Sequence, residues 1–474
     1  MKNYSIWKDN IELPKFNKLN KDINVDVLII GGGMTGVSTL YHLKESGFKV
    51  ALVEQNEIGM GVTANTTGKV TYLQDKIYNE LLKNFDFDIA SLYLKSQMDA
   101  TDLIINIINE NNIDCDLEKA KSYVYTDKED EISKLKELKV FLEKNDINVI
   151  NDKLELVDSK YVVGVDDTYL FHPLKFIKGM LKEFDYAEVY EDTSIKKIEK
   201  EKNKYICYTD DFKISTTWVV IASHYPYFNL PFLFPIKGSL EKSYVSASKK
   251  KIENVSLISY YKPVVSIRKY LDYMIYLGLS DNLVNNIEDG NNYKILEEKL
   301  SKYGVKPEYL WSNIDIMTND SLPYVGEINH NMYIGTGYNT WGMTNGVLSG
   351  KIISDLILDK NNEYKELFNP KRVNALMFGK GVIDGVYSAI GYVKGYLTDD
   401  DFISYKRHDG KEIAIYRDKE GLEHKVYTKC PHMGCRLNFN QVEKTWDCPC
   451  HASRFDIDGK VISGPSNYDI SVED

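Results

Sequence analysis

Between residues 25 and 54 the chain passes through two unbroken apolar runs, VDVLII and FKVALVE, which suit short buried strands. Between them VSTLYHLKES has helical spacing and follows the turn Gly31-Gly32-Gly33-Met34-Thr35-Gly36, so the pattern predicts a βαβ unit. Leu92, Leu94, Met98, Leu103, Ile104, Ile107 and Ile108 then recur as one face of an amphipathic helix over about 89–112. Residues 188–222 alternate as strands do and end in WVVIAS, and 255–280 is rich in the β-branched and aromatic residues that favour sheets. Residues 320–358 read as strand, glycine-rich turn and a helix from about Thr344. The segment 371–398 has no clear period and reads as a packed linker, and short alternating runs from Asp399 onward predict a small β domain.

A chain of 474 residues exceeds what one core supports, so two or three domains are expected. No stretch approaches the ~20 apolar residues of a membrane helix, which predicts no integral membrane segment. MKNYSIWKDN contains no apolar signal segment, which predicts a cytoplasmic protein. The net charge of −11, with lysines interspersed among Asp and Glu, argues against a nucleic-acid partner. Lysine greatly outnumbers arginine, and before residue 372 the only arginine is Arg268. A position that keeps arginine there is a candidate for a planar, bidentate contact.

Two loops carry metal-ligand chemistry: Cys430-Pro-His432 and Cys448-Pro-Cys450-His451. Two thiolates and two imidazoles suit a [2Fe-2S] centre in which histidines replace cysteines on one iron, and they also suit tetrahedral zinc. The glycine turn satisfies G-x-G-x-x-G in the context that gives it meaning, after a strand and opening a helix whose N-terminus attracts a pyrophosphate. Glu54 ends the second strand 18 residues after Gly36, where a carboxylate takes ribose hydroxyls. The fingerprint alone does not separate FAD from NAD.

KCPHMGCRL and DCPCHASRFD resemble the two cluster loops of Rieske proteins. The resemblance implies a [2Fe-2S] cluster on Cys430, His432, Cys448 and His451, and Cys435 and Cys450 stand where many members form a disulfide. Ser453 matches a serine that donates to the cluster, while Phe455 replaces the tyrosine donor of high-potential members. One donor fewer implies a midpoint below the top of the roughly −150 to +300 mV Rieske range.

Residues 24–370 resemble the D-amino-acid-oxidase and glycine-oxidase superfamily of FAD enzymes, through the βαβ unit, WVVIAS, the PIKGS turn, SIRKY and Gly335-x-Gly337…Gly342-Met343-Thr344. The implied fold is an α/β Rossmann-like FAD-binding domain with an inserted antiparallel-sheet α+β substrate domain, plus a small all-β Rieske domain. The FAD-binding domain would take 1–75, 188–225 and 318–370, the substrate domain 76–187 and 226–317, the linker 371–398 and the Rieske domain 399–474.

Noncovalent FAD is implied at Gly31, Gly33, Met34, Thr35, Gly36, Glu54 and Gln55 at the dinucleotide end. It also involves Asn65, Thr66 and Thr67, then Ile195, Ala222 and Ser223, and finally Gly337, Gly342, Met343 and Thr344. The stretch Thr66-Thr67-Gly68-Lys69 departs from the Gly-rich form of amine oxidases and resembles Rieske-fused members. Candidate catalytic residues are Arg268 for a substrate anion, Lys69 for the flavin edge, and Tyr270 and Trp341 as pocket walls. His172 and His224 read as core or surface histidines. A flavin takes two electrons and the cluster passes one, so the expectation is a dehydrogenase for amines or amino acids that feeds a one-electron carrier such as a ferredoxin or flavodoxin. The reverse direction, cluster to flavin to an acceptor, is the alternative.

Overall fold

The computed structural model describes residues 1–182, 184–225, 238–282, 289–372 and 403–472. The strand Ile23–Ile30 pairs in parallel with Val50–Val53 on one side and Lys213–Ile221 on the other. Strands flanked on both faces by other elements need apolar residues throughout, and Val50–Val53 is buried at all four positions. Met332–Thr336 extends this sheet in parallel, and Tyr324–Asn329 pairs antiparallel at its edge. The helices Met34–His42 and Gly342–Ile357 cover one face and pack on each other where Ser38 Oγ donates to the Val347 carbonyl. The second helix begins at Gly342, two residues before the expected Thr344.

Two glycines in the first turn have steric reasons. Gly31 sits at φ +109°, and a Cβ there would lie 2.6 Å from the Ala222 carbonyl oxygen. A Cβ on Gly36 would lie 1.9 Å from the Gly31 carbonyl oxygen, so only glycine lets the helix start this close to the strand.

The second sheet has eight strands, in the order Tyr309–Thr318, Gly238–Lys249, Tyr273–Asn282, Ser266–Tyr270, Val255–Ser259, Glu118–Thr126, Tyr161–Leu170 and Lys69–Val70. All pairings are antiparallel except that between Val255–Ser259 and Glu118–Thr126. The long helix spans Phe87–Glu110, slightly earlier than the apolar period suggests, because Asp86 caps the Ile89 amide. Two details differ from the expected domain limits. Lys69–Val70 already belongs to the second sheet, and the N-terminal Ile6 and Trp7 pack against Val245, Ile275 and Trp311 of that sheet as well as against Ala64.

Residues 403–472 form a three-stranded and a four-stranded antiparallel sheet around Trp446, Phe439 and Phe455. Most of the linker 371–398 and the start of the PIKGS turn lie outside the described residues. No helix among the described residues is long and apolar enough to cross a membrane.

Candidate functional site: a flavin cavity walled by the cluster domain

The N-terminus of Met34–His42 opens into a cavity whose walls include Gly31, Gly33, Met34 and Thr35. Gly33 at the N-cap offers no side chain to the first turn, and the Met34 amide donates to Thr63 Oγ1 at 3.1 Å. Glu54 and Gln55 line the same cavity. The Glu54 carboxylate accepts the Gly32 amide at 2.8 Å and the Asn56 amide at 3.0 Å, while burial raises its pKa. Asn65, Thr66, Ile195, Ala222 and Ser223 continue the wall, and Gly342 and Met343 close its far end. A glycine turn open to the cavity, a helix N-terminus and a strand-end carboxylate fit an adenine dinucleotide.

Gly36 and Gly337 are absent from the wall. Gly36 serves the tight turn, and Gly337, at φ +75°, lies where a Cβ would meet Thr318 Cγ2 at 2.5 Å. Thr67 and Thr344 face instead a neighbouring cavity of about 380 Å³ under the second sheet. That cavity also holds Lys69 and Trp341. Lys69 therefore lines the second cavity and not the first. Its Nζ donates to the Leu257 carbonyl at 3.0 Å and to Ser266 Oγ at 2.6 Å. Burial first, and Arg268 second, lower the Lys69 pKa to about 7. Trp341 is buried and its Nε1 has no hydrogen-bond partner within the protein.

Arg268 and Tyr270 do not reach either cavity, which corrects the expectation for both. Arg268 is 1% exposed, and its Nη1 donates to the carbonyls of Thr67 at 2.9 Å, Gly68 at 2.5 Å and Phe171 at 3.3 Å. Its Nε donates to the Lys269 carbonyl at 2.8 Å. The planar fork that singled it out clamps the backbone turn before Lys69, since several converging carbonyls suit guanidinium better than ammonium. Tyr270 donates to Asp116 at 2.9 Å and packs edge-on against Trp7. His172 caps the helix Pro173–Leu181 by accepting the Lys175 amide. His224 lines the flavin cavity with its Nε2 3.0 Å from the Ile314 carbonyl oxygen, and burial lowers its pKa to about 4.

Cys430 and Cys448 are buried, and the His432 and His451 rings lie 4.9 Å apart, centre to centre. Their Nδ1 atoms are buried without partners, the atoms that would face iron. The Cys430 thiol is held below its ordinary pKa first by a hydrogen bond from Cys448, then by the His432 amide, the Ser453 hydroxyl and the Met433 amide. Amide and hydroxyl donors around a thiolate are what a [2Fe-2S] centre needs. Cys435 and Cys450 form a disulfide beside it. Phe455 is fully buried in the domain core.

The cluster domain contributes part of the flavin cavity. His451, Ala452, Arg454, Ile462, Ser463 and Gly464 all stand on its wall. A buried ion network fixes this contact: Lys242 Nζ lies 2.9 Å from Asp447, and Arg454 bridges Asp447 and Glu443 at 3.0 Å each. Glu443 also accepts from Tyr293 at 2.7 Å and Ser312 at 2.5 Å on the substrate domain. Asn56 reaches the Ile462 carbonyl at 3.1 Å, and Lys196 donates to the Asn467 carbonyl.

Sequence reasoning missed Thr63, Tyr338, Glu241 and Asp315. Glu241 and Asp315 are opposed across two antiparallel strands 74 positions apart, so no local spacing joins them. The one available signal was an acidic residue inside the otherwise apolar strand IDIM.

A dinucleotide cavity with the second Cys/His loop on its wall defines a flavin-dependent oxidoreductase that carries its own iron–sulfur centre. The chain belongs to the FAD dependent oxidoreductase family, whose sequence model matches residues 26–356, and residues 393–472 match the Rieske [2Fe-2S] domain. It binds FAD in the first part and a [2Fe-2S] cluster in the second. It is 32% identical to the "Putative Rieske 2Fe-2S iron-sulfur protein YhfW" of Bacillus subtilis (strain 168), over 97% of this chain and 95% of that one. It is 25% identical to the gamma-glutamylputrescine oxidoreductase of Escherichia coli (strain K12), over 72% of this chain and 85% of that protein. The fold is shared with L-proline dehydrogenase from P. horikoshii, at TM-score 0.61 and 16% identity, covering 74% of this chain and 98% of that one. Glycine oxidase from Geobacillus kaustophilus superposes at TM-score 0.59 and 16% identity, covering 74% of this chain and all of that one.

Proposed function

We propose that the protein is a dehydrogenase that oxidises a C–N bond of an amine or amino acid and passes the electrons singly through the cluster to an external one-electron carrier such as a ferredoxin or flavodoxin. The observation that carries this reading is His451 on the wall of the flavin cavity. A cluster ligand there gives electrons a short path from reduced flavin, while Pro431 and Met433, which flank the other ligand His432, are exposed to a partner. The flavin supplies two-electron oxidation and the cluster one-electron transfer.

The protein's own residues bind and orient the substrate. Asp75, Glu80, Glu241 and Asp315 give the second cavity carboxylates for a cationic amine, and Lys69, Lys76 and Lys262 give it cations for a carboxylate. Trp341 supplies an aromatic wall, and Lys69 and Trp341 are the candidate substrate contacts. Noncovalent FAD is held by the glycine turn, Glu54 and the walls named above. The relatives acting, by their names, on gamma-glutamylputrescine, glycine and L-proline support an amine or amino-acid substrate.

The test is anaerobic mixing of the holoprotein with γ-glutamylputrescine, glycine and L-proline. Flavin bleaching followed by the reduced-cluster EPR signal is expected with at least one. Bleaching without cluster reduction, or no bleaching by any amine in a wider screen, refutes the reading.

A further inference from the structure

Few residues line both cavities. They are Asn65, Thr66, Asn313, Asp315, Thr340 and Met343, and among them only Asp315 titrates. If the substrate occupies the second cavity and the flavin the first, the reacting carbon meets the flavin where the two join, and Asp315 is the ionisable group at that junction. We infer that Asp315 is the catalytic base that takes the proton from the substrate ammonium before the C–H bond breaks. This deepens the reading above and rests on it.

The chemistry balances without a further reagent. An amine at neutral pH is protonated, and its nitrogen lone pair is unavailable to stabilise the cation that forms as the α C–H bond breaks. The Asp315 carboxylate accepts one N–H proton and becomes a carboxylic acid, leaving the neutral amine. With FAD bound, the electron pair of the α C–H bond would pass to the cofactor while the lone pair closes to a C=N bond, and the product would leave as the iminium. Asp315 returns its proton to solvent between turnovers.

Cross-strand geometry prepares the group. In the antiparallel register Asp315 stands opposite Glu241, and like charges directly opposed disfavour simultaneous ionisation. Glu241 has other support: Lys262 lies 2.6 Å from it, and the Ser280 hydroxyl donates to it. Among the described residues the Asp315 carboxylate accepts only the Asn313 side-chain amide, at 3.1 Å. Burial, with Glu241 second, raises the Asp315 pKa to about 7. The remaining charged groups facing it across the cavities are neutralised locally or held apart. Lys76 pairs with Glu80 at 3.2 Å, Lys69 is bonded to Leu257 and Ser266, and Arg454 is spent on Asp447 and Glu443. Asp75 lines the second cavity only, and burial raises its pKa to about 6, but it does not reach the junction. Glu54 is tied to backbone amides.

Two measurements on the FAD- and cluster-loaded protein test this. First, the rate of anaerobic flavin reduction is followed from pH 5 to 10 with whichever of γ-glutamylputrescine, glycine or L-proline reduces the wild type. The wild-type rate should fall as Asp315 protonates below about pH 7. In Asp315→Asn that limb should vanish, the rate at neutral pH should drop about 10²–10⁴-fold, and the remaining dependence should follow the free amine's own titration. Asp315→Glu should restore a neutral limb. Second, infrared titration of the protein without substrate should show a carboxylic C=O component near neutral pH that is present in the wild type and lost in Asp315→Asn, beside any band from Asp75. An unchanged limb in Asp315→Asn, or a carboxylic band as intense in Asp315→Asn as in the wild type, overturns the inference. If no amine reduces the wild type, the dehydrogenase reading falls while the infrared arm still decides where the proton sits.

Discussion

Lys242→Met tests whether the cluster domain is held in place by the buried ion network. The lysine is 1% exposed and its Nζ lies 2.9 Å from Asp447 of the cluster domain. At an effective dielectric of about 20 that pair has a Coulomb energy of about 6 kcal/mol before desolvation. Methionine keeps most of the aliphatic stem and ends one heavy atom short of the ammonium position, so the chief loss is the charge. Removing one partner of a buried pair typically costs about 3–5 kcal/mol. Arg454 still touches Asp447 at 3.0 Å in the variant, which places the expectation at the low end, about 3 kcal/mol. That weakens docking of the cluster domain by about two powers of ten. Anaerobic stopped flow separates the consequences. Flavin reduction by substrate should be unchanged, because Lys242 lines neither cavity, while cluster reduction slows. Equal slowing of both, or neither, refutes the argument that this network seats His451 against the flavin.

Three other outcomes follow from the site. Arg268→Lys should lower stability by about 1–3 kcal/mol through lost bonds to buried carbonyls, with KM unchanged in the folded fraction, checked by denaturation and steady-state kinetics. Ser453→Ala should lower the cluster midpoint, read by redox titration, because the hydroxyl donates toward Cys430. In Asp447, burial works against the charge, but Arg454 and Lys242 outweigh it and hold the carboxyl below its ordinary range. The folded chain then binds fewer protons there than the unfolded chain. The network's stability is therefore present above about pH 4 and lost as pH falls toward the depressed value, so the Tm should drop below about pH 4, and less steeply in Asp447→Asn.

The parts legible in the sequence were those whose chemistry is local. The glycine turn, Glu54 and the two Cys/His loops each occupy a few consecutive residues. Arg268 shows the limit. Its rarity singled it out, but spacing does not reveal whether the acceptors are a substrate carboxylate or backbone carbonyls, and the fold supplies four of the latter. The junction carboxylate was hidden because Glu241 and Asp315 become neighbours only through strand register. The ion network was hidden for the same reason, with Lys242 and Asp447 separated by 205 positions.

The cluster domain's share of the flavin cavity wall constrains the order in which the holoprotein is assembled. Ile462, Ser463 and Gly464 close over the same chamber that the helix N-terminus opens into. A cofactor seated there is enclosed by a domain that itself needs iron and sulfide to complete its loops. Flavin loading should therefore precede cluster-domain docking during maturation, and iron starvation in a cell should lower flavin retention as well as cluster content.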